Sequence, residues 1–138
     1  MKTTITITLA LLATSTQAFT GHHCWQQQPF EHVVCFNITA VNDHYYTLLG
    51  KDMTAAATYP THGSALLTEG SLQLEFIQNL GAGEVYKNSV TLDSETLEGE
   101  WLDNSGNSGD FDYIGTAVSD DDLKQRFSGR RSKRRAQK

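Results

Sequence analysis

The chain has 138 residues, of which 38% are hydrophobic and 20% are charged, and its formal net charge is −5. This length supports one domain with a modest core and is too short for two. After the first eighteen residues no stretch is apolar over the roughly 20 residues that cross a bilayer, so we expect no transmembrane segment.

Residues 1–18 have the order of a secretory signal peptide. Lys2 gives a positive start, residues 5–13 form a short apolar run, and residues 16–18 (TQA) offer small side chains for cleavage. We therefore expect this segment to be removed and the chain to be exported, to the periplasm or the extracellular space.

Charge is distributed unevenly along the remaining chain. Residues 19–119 hold two lysines and thirteen acidic residues, a net charge of −11, whereas residues 120–138 carry +5. Residues 129–135 have almost no apolar content, which predicts a disordered basic tail. Because export argues against nucleic acid, the remaining interpretations are attraction to an anionic envelope component, association with the acidic body, or plain solvation.

The chain contains two cysteines, Cys24 and Cys35. An oxidising destination makes a disulfide between them the expected state. The loop that it would close is short, so the expected entropic stabilisation is roughly 2–3 kcal/mol.

Eight short segments have strand composition and are separated by glycine, asparagine and aspartate, the residues typical of turns. In chain order the predicted strands are residues 22–27, 32–40, 45–49, 64–68, 71–78, 84–92, 97–102 and 110–116. Alternation along them assigns a core face, which Asn88 interrupts. Its clearest members are Val34, Phe36, Ile38, Leu72, Leu74, Phe76, Tyr86, Val90 and Leu92.

Two segments favour a helix instead. Residues 52–57 are rich in alanine, and residues 119–127 begin with a capping serine and three aspartates in the first turn. The predicted organisation is a signal peptide (1–18), a β-barrel domain (19–118) and a short C-terminal helix with the basic tail (119–138).

Many strands joined by tight turns, with no alternation of strand and helix, favour an antiparallel barrel or sandwich. At this length a single up-and-down barrel of about eight strands removes every exposed edge. Residues 97–101 (LEGEW) resemble the glycine-x-tryptophan element of the lipocalin-like small barrels, the calycins. Gly106 and residues 109–111 (GDF) resemble the hairpin that follows such a tryptophan in lipocalin-like and avidin-like barrels. Lipocalins carry the element in their first strand, whereas here it lies near the C-terminus.

The calycin resemblance implies a barrel whose interior can hold a small apolar ligand. The interior of eight strands is just wide enough for a cavity or for solid packing, and a short chain favours solid packing. The candidate pocket residues are Trp101, Phe76 and Tyr86.

The last predicted hairpin places four carboxylates on its outer face. Pairing centred on residues 104–109 sets Glu98 opposite Asp112 and Glu100 opposite Asp110. Like charges directly across a ladder are destabilising, so a calcium ion, a basic partner or the basic tail would stabilise this acidic face by binding to it. The alternative is an ordinary polar face exposed to solvent. Glycoside hydrolases also use paired carboxylates, but those flank a sugar in a cleft.

Other chemistry has little support in the sequence. His22 would stand third, as a terminal copper site requires, only if cleavage followed Phe19. We find no nucleophile elbow and no glycine-rich phosphate loop, and we predict no enzyme activity, metal or cofactor. The expected function is an exported non-enzymatic barrel that binds a small apolar ligand or an envelope component. The alternative is a protein-interaction or inhibitor module that uses the acidic face.

Overall fold

A computed structural model describes residues 19–81, 83–116 and 121. Its eight strands are β1 (Gly21–Gln27), β2 (His32–Ala40), β3 (Tyr45–Met53), β4 (Thr58–Thr68), β5 (Ser71–Asn79), β6 (Val85–Asp93), β7 (Gly99–Asp103) and β8 (Ser108–Gly115). Each strand pairs antiparallel with the next, and β1 also pairs with β8, so the sheet closes into an up-and-down barrel. The predicted all-β fold and the eight-stranded barrel are confirmed.

Three predictions lie outside the described residues. They are the signal peptide over residues 1–18, the basic tail, and the helix over residues 119–127 apart from Asp121.

The helix predicted over residues 52–57 is wrong. Asp52 and Met53 are the last residues of β3 and pair with β4. The chain then turns, and the hydroxyl of Thr54 accepts hydrogen bonds from the N–H groups of Ala56 and Ala57. Pairing across the sheet outweighs the small helix preference of a few alanines. No helix among the described residues is long and apolar enough to cross a membrane.

β4 begins six residues earlier than predicted. Its first half contains Pro60, which cannot donate to the ladder, and Gly63. Both residue types are unfavourable in strands, so the sequence does not predict a strand there. Gly63 is required by geometry, because a Cβ at this position would clash with the backbone carbonyl of Glu75 on β5. The two strands therefore approach each other more closely than a side chain would allow.

Inward-facing apolar side chains fill most of the barrel. Trp25 lies at the centre of this core, with its ring 5.5 Å from that of Phe111. The predicted core face is buried except at Tyr86, which is only half-buried near one end of the barrel. The core consists of Phe19, Trp25, Val34, Phe36, Ile38, Tyr46, Leu48, Ala65, Leu72, Leu74, Phe76, Val90, Leu92, Leu97, Trp101 and Phe111.

The barrel has two different ends. At the first, which we call the sealed end, Phe19 and Leu97 are buried against the core. At the second, which we call the mouth, the β1–β2, β3–β4, β5–β6 and β7–β8 connections meet. The inward-facing side chains near the mouth are mostly polar, and they form the candidate site.

The predicted disulfide between Cys24 and Cys35 is confirmed. The two residues lie directly opposite each other in β1 and β2. With Val33 and Met53 they form a second, smaller buried cluster, separate from the core inside the barrel. The disulfide therefore joins the two strands that lead into and out of the first connection at the mouth.

Candidate functional site

A cavity of about 240 Å³ opens at the mouth. Its wall combines apolar side chains with amide, imidazole and carboxylate groups, contributed by five strands and the connections between them. The residues that line it are Gln27, Phe30, His32, Gln78, Leu80, Tyr86, Asp103 and Asn107.

Three buried amide side chains form a closed hydrogen-bonded ring at the mouth. Gln27 Nε2 donates to Asn88 Oδ1 at 3.0 Å, Asn88 Nδ2 donates to Gln78 Oε1 at 2.8 Å, and Gln78 Nε2 donates to Gln27 Oε1 at 2.9 Å. All three residues are buried, and the first and last of this series line the cavity. Each amide thus gives one hydrogen bond and receives one, which offsets the cost of burying it.

A histidine–carboxylate pair lies in the same part of the barrel. Asp52 on β3 is 0% exposed, and its Oδ2 lies 3.3 Å from Nδ1 of His32 on β2. The other oxygen, Oδ1, is buried without a hydrogen-bond partner among the described residues. Because a carboxylate oxygen only accepts, this contact favours the form of His32 that carries its hydrogen on Nδ1.

The second carboxylate at the mouth, that of Asp103, has a local structural role. Asp103 Oδ1 accepts hydrogen bonds from the backbone N–H groups of Ser105 and Asn107, each at 2.9 Å. Its Oδ2 accepts a third bond, from the side-chain amide of Asn107 at 3.1 Å. These bonds shape the β7–β8 turn, so this acidic group is largely committed to its own loop.

Aromatic rings cover one side of the cavity. Phe30, in the β1–β2 connection, is 49% exposed, and its ring centroid lies 5.5 Å from that of Trp101 and 6.0 Å from that of His32. The indole Nε1 of Trp101 donates to the carbonyl of Gln28 at 2.6 Å. The tryptophan therefore fixes the connection on which the exposed phenylalanine stands.

The three predicted pocket residues have different positions in the structure. Phe76 is buried within the core, between Phe36 and Phe111. Trp101 is also in the core and reaches the mouth only through its indole nitrogen and its contact with Phe30. Tyr86 lines the cavity. The structure thus places one of the three in the cavity wall.

The sealed end contains two tyrosine hydroxyl groups, of which that of Tyr46 is buried and that of Tyr113 is partly buried. The hydroxyl of Tyr113 lies 2.8 Å from Nδ1 of His23, and burial raises the pKa of this tyrosine. The hydroxyl of Tyr46 has no hydrogen-bond partner among the described residues, and burial, followed by the charge of Asp43, raises its pKa. Both environments favour the neutral phenol.

The acidic face lies on the outer surface of β7 and β8, away from the cavity. The register places Glu100 directly opposite Asp110, and both side chains are exposed. Glu98, just before β7, is exposed, and Asp112 is half-buried. No salt bridge of these four carboxylates is found among the described residues.

A cluster of metal-ligating residue types surrounds the disulfide. Donor atoms of His22, Cys24 and Cys35 lie within 4.8 Å of one another. Both sulfur atoms belong to the disulfide, however, and a metal ion binds the thiolate form of cysteine. Nδ1 of the histidine lies 3.0 Å from the backbone carbonyl of Thr116. The oxidised cluster therefore does not offer a thiolate site.

Sequence reasoning missed most of the polar residues at the mouth. One further step of alternation along each predicted strand would have found two of them, since His32 continues the series of Val34 and Gln78 that of Phe76. Asp52 belongs to residues 52–57, for which the sequence wrongly predicts a helix, so alternation along a strand does not locate it. Asn88 was recognised as an interruption of a core face but was not assigned a partner.

Comparisons with known proteins identify no relative of the chain. No family model matches it, and no curated protein and no solved structure matches it. Of the resemblance to calycins, the structure shows the closed, eight-stranded antiparallel barrel alone.

Proposed function

We propose that this chain is an exported, non-enzymatic β-barrel that binds a small ligand in the cavity at the mouth. The observation that carries the proposal is the concentration of inward-facing polar groups around a cavity of about 240 Å³, in a barrel whose interior is elsewhere mainly apolar. Small-molecule sites typically combine apolar walls with a few convergent polar groups.

The cavity volume limits the size of the ligand. A cavity of about 150 Å³ holds one benzene molecule, so the cavity at the mouth has room for roughly ten non-hydrogen atoms. A long fatty-acid chain exceeds this volume. The polar lining also favours an amphipathic compound over the purely apolar ligand that the calycin resemblance implies.

The chemistry of the lining supports binding over catalysis. The lining residues include no serine, threonine or cysteine, so the lining offers the imidazole of His32 none of these three nucleophiles to activate. The carboxylate of Asp103 is occupied by its own turn. A single imidazole–carboxylate pair can orient a ligand without any additional catalytic group.

The proposal can be tested by screening small aromatic and aliphatic compounds with NMR of the isotopically labelled protein. We expect saturable shifts of the amide signals around the cavity. Leu80→Trp should abolish them, because the larger side chain fills the cavity. Leu49→Trp, at an exposed site on the outer surface of β3, is the matched control and should leave binding unchanged. Equal binding by the wild type and Leu80→Trp would contradict the proposal.

A second candidate function uses the acidic face. The observation in its favour is the exposed pair of Glu100 and Asp110, two like charges directly across a ladder with no cation beside them among the described residues. Such a surface suits a basic partner, whose charge would relieve the repulsion.

The test of this second function is salt-dependent binding of a lysine-rich peptide to the wild type and to a variant in which Glu98, Glu100, Asp110 and Asp112 are replaced by the corresponding amides. We expect binding to fall with salt and to be lost in the variant. Unchanged binding by the variant would exclude the acidic face as the site.

A further inference from the structure

We infer that the ligand bound at the mouth carries an uncharged amide-type edge, in which a hydrogen-bond donor stands beside an acceptor. This inference rests on the proposed function and specifies the chemical class of its ligand. The amide ring leaves some of the hydrogen-bonding capacity of its members unused.

Each side-chain amide has two N–H groups, and its carbonyl oxygen has two lone pairs. The ring uses one N–H group and one lone pair of each amide. No other hydrogen bond of these amide groups is found within the described part of the chain. One donor and one acceptor site therefore remain on each amide, although all three residues are buried.

The cavity is where these remaining groups can find partners. Gln27 and Gln78 line it, and the bond between them keeps their amides adjacent at 2.9 Å. A ligand that presents an N–H beside a C=O can satisfy an acceptor on one glutamine and a donor on the other. A ligand with only one of these functions leaves a buried polar group without a partner, which is costly.

The charges at the mouth disfavour an ionised ligand. An anion would approach the carboxylate of Asp103, which lines the cavity. A cation that contacts this group directly would compete with the three N–H donors of the turn that its oxygens already accept. Asp52 is completely buried and does not line the cavity. A neutral head group avoids both difficulties.

The apolar part of the wall fits the body of the ligand. Phe30, Leu80 and Tyr86 offer aromatic and aliphatic surface around the polar groups. The volume of about 240 Å³ admits one six-membered ring with a small substituent. A monocyclic carboxamide or lactam combines this body with the required edge.

Four probes of similar shape separate the head group from the body: benzamide, benzoate, benzylamine and toluene. Their affinities for the full chain would be measured by NMR titration at pH 7. We expect benzamide to bind about tenfold more tightly than each of the others, the effect of one well-placed hydrogen bond. Equal binding of all four probes would overturn the inference and leave the proposed function standing. Failure of all four to shift signals at the mouth would overturn both.

A variant pair tests the residue that carries the inference. Gln78→Glu keeps the size of the side chain but removes its N–H donors, and we expect it to weaken benzamide binding about tenfold. Gln73→Glu, on the exposed face of the same strand, is the matched control and should bind as the wild type does. Unchanged binding by Gln78→Glu would overturn the inference. If this variant fails to fold, the four-probe comparison on the wild type decides the question.

Discussion

The sealed end and the mouth are built by the same eight strands, yet their inward-facing side chains differ in chemistry. At the sealed end, rings and aliphatic chains such as Phe19, Tyr46 and Leu97 pack on one another. At the mouth, amides, an imidazole and carboxylates occupy the corresponding positions. Apolar packing needs only shape and volume, whereas every polar group inside the barrel needs a partner with the correct geometry.

The difference indicates a division of roles within the barrel, between stability and binding. We expect burial of apolar surface in the core, from the centre of the barrel to the sealed end, to supply most of the stability, at about 25 cal/mol per Å². The polar groups at the mouth contribute less net stability, because their hydrogen bonds replace bonds to water. Their concentration beside a cavity is the basis of the proposed binding function. Four single substitutions, taken from the largest expected effect to the smallest, and one triple variant test this division.

Trp25→Ala should produce the largest loss of stability. The indole is completely buried, stacks on Phe111 and donates to the carbonyl of Leu97 at 2.8 Å. We expect the free energy of unfolding to fall by about 4 kcal/mol. Tyr86→Ala, at the half-buried rim of the mouth, should cost less than half as much but should weaken ligand binding. Urea titration measures the stabilities, and equal losses would contradict the proposed division.

His32→Ala should be the most damaging change at the mouth. It leaves the buried carboxylate of Asp52 without its one hydrogen-bond partner among the described residues. We expect a loss of about 3 kcal/mol in the free energy of unfolding. The control is His62→Ala, since this histidine is exposed on β4 and should change stability by less than about 0.5 kcal/mol. Similar losses in both variants would show that the pair has no special role.

Gln78→Leu should have an intermediate effect. It removes two bonds of the amide ring and leaves partner atoms on Gln27 and Asn88 buried without partners. We expect a cost of about 2 kcal/mol. Gln73→Leu, which loses only an exposed bond to Thr91, is the control and should cost below about 0.5 kcal/mol.

Replacing all three ring residues by leucine sharpens the same comparison. If unsatisfied partners cause the loss in Gln78→Leu, the triple variant should recover most of the stability, because no polar atom of the ring remains. Its ligand binding should still be lost. A triple variant less stable than the single one would show that the shape of the amides matters more than their hydrogen bonds.

Tyr46→Phe should have the smallest effect and the opposite sign. The substitution removes a buried hydroxyl without a partner among the described residues, so we expect the free energy of unfolding to rise by about 1 kcal/mol.

Burial raises the pKa of Tyr46 above the ordinary value of 10.0. The wild type should therefore lose stability as the pH rises above 10, since the unfolded chain releases this proton first. The variant should lose less over the same range, as urea titrations at pH 9 and 11 would show.

Much of the fold could be predicted from the sequence, because alternation and turn residues are local signals. The segment around Val34 and the turn at Asn42 illustrate this, and both the strand and its hairpin are as predicted. The errors lie where a local signal opposes the sheet. Pro60 argues against a strand where β4 begins, and the alanines after Met53 favour a helix where the chain makes a turn.

The candidate site could be predicted only in part. Alternation can show that Gln78 faces inward, but its partners are 51 and 10 residues away in the chain. Which polar side chains meet depends on the register of non-neighbouring strands and on closure of the barrel. Of the three aromatic residues predicted for the pocket, Phe76 and Trp101 belong to the core and only Tyr86 lines the cavity. Residue type alone does not indicate how far along the barrel axis a side chain lies.

The disulfide has a consequence for the cavity as well as for stability. Cys24 and Cys35 clamp the two strands whose connection carries Phe30 and leads directly into His32. Reduction would remove the one covalent link between these strands and leave this part of the cavity wall held by hydrogen bonds and side-chain packing. The crosslink thus links the redox conditions around the molecule to the shape of the proposed binding site, and we expect the ligand affinity to be highest where the protein is oxidised.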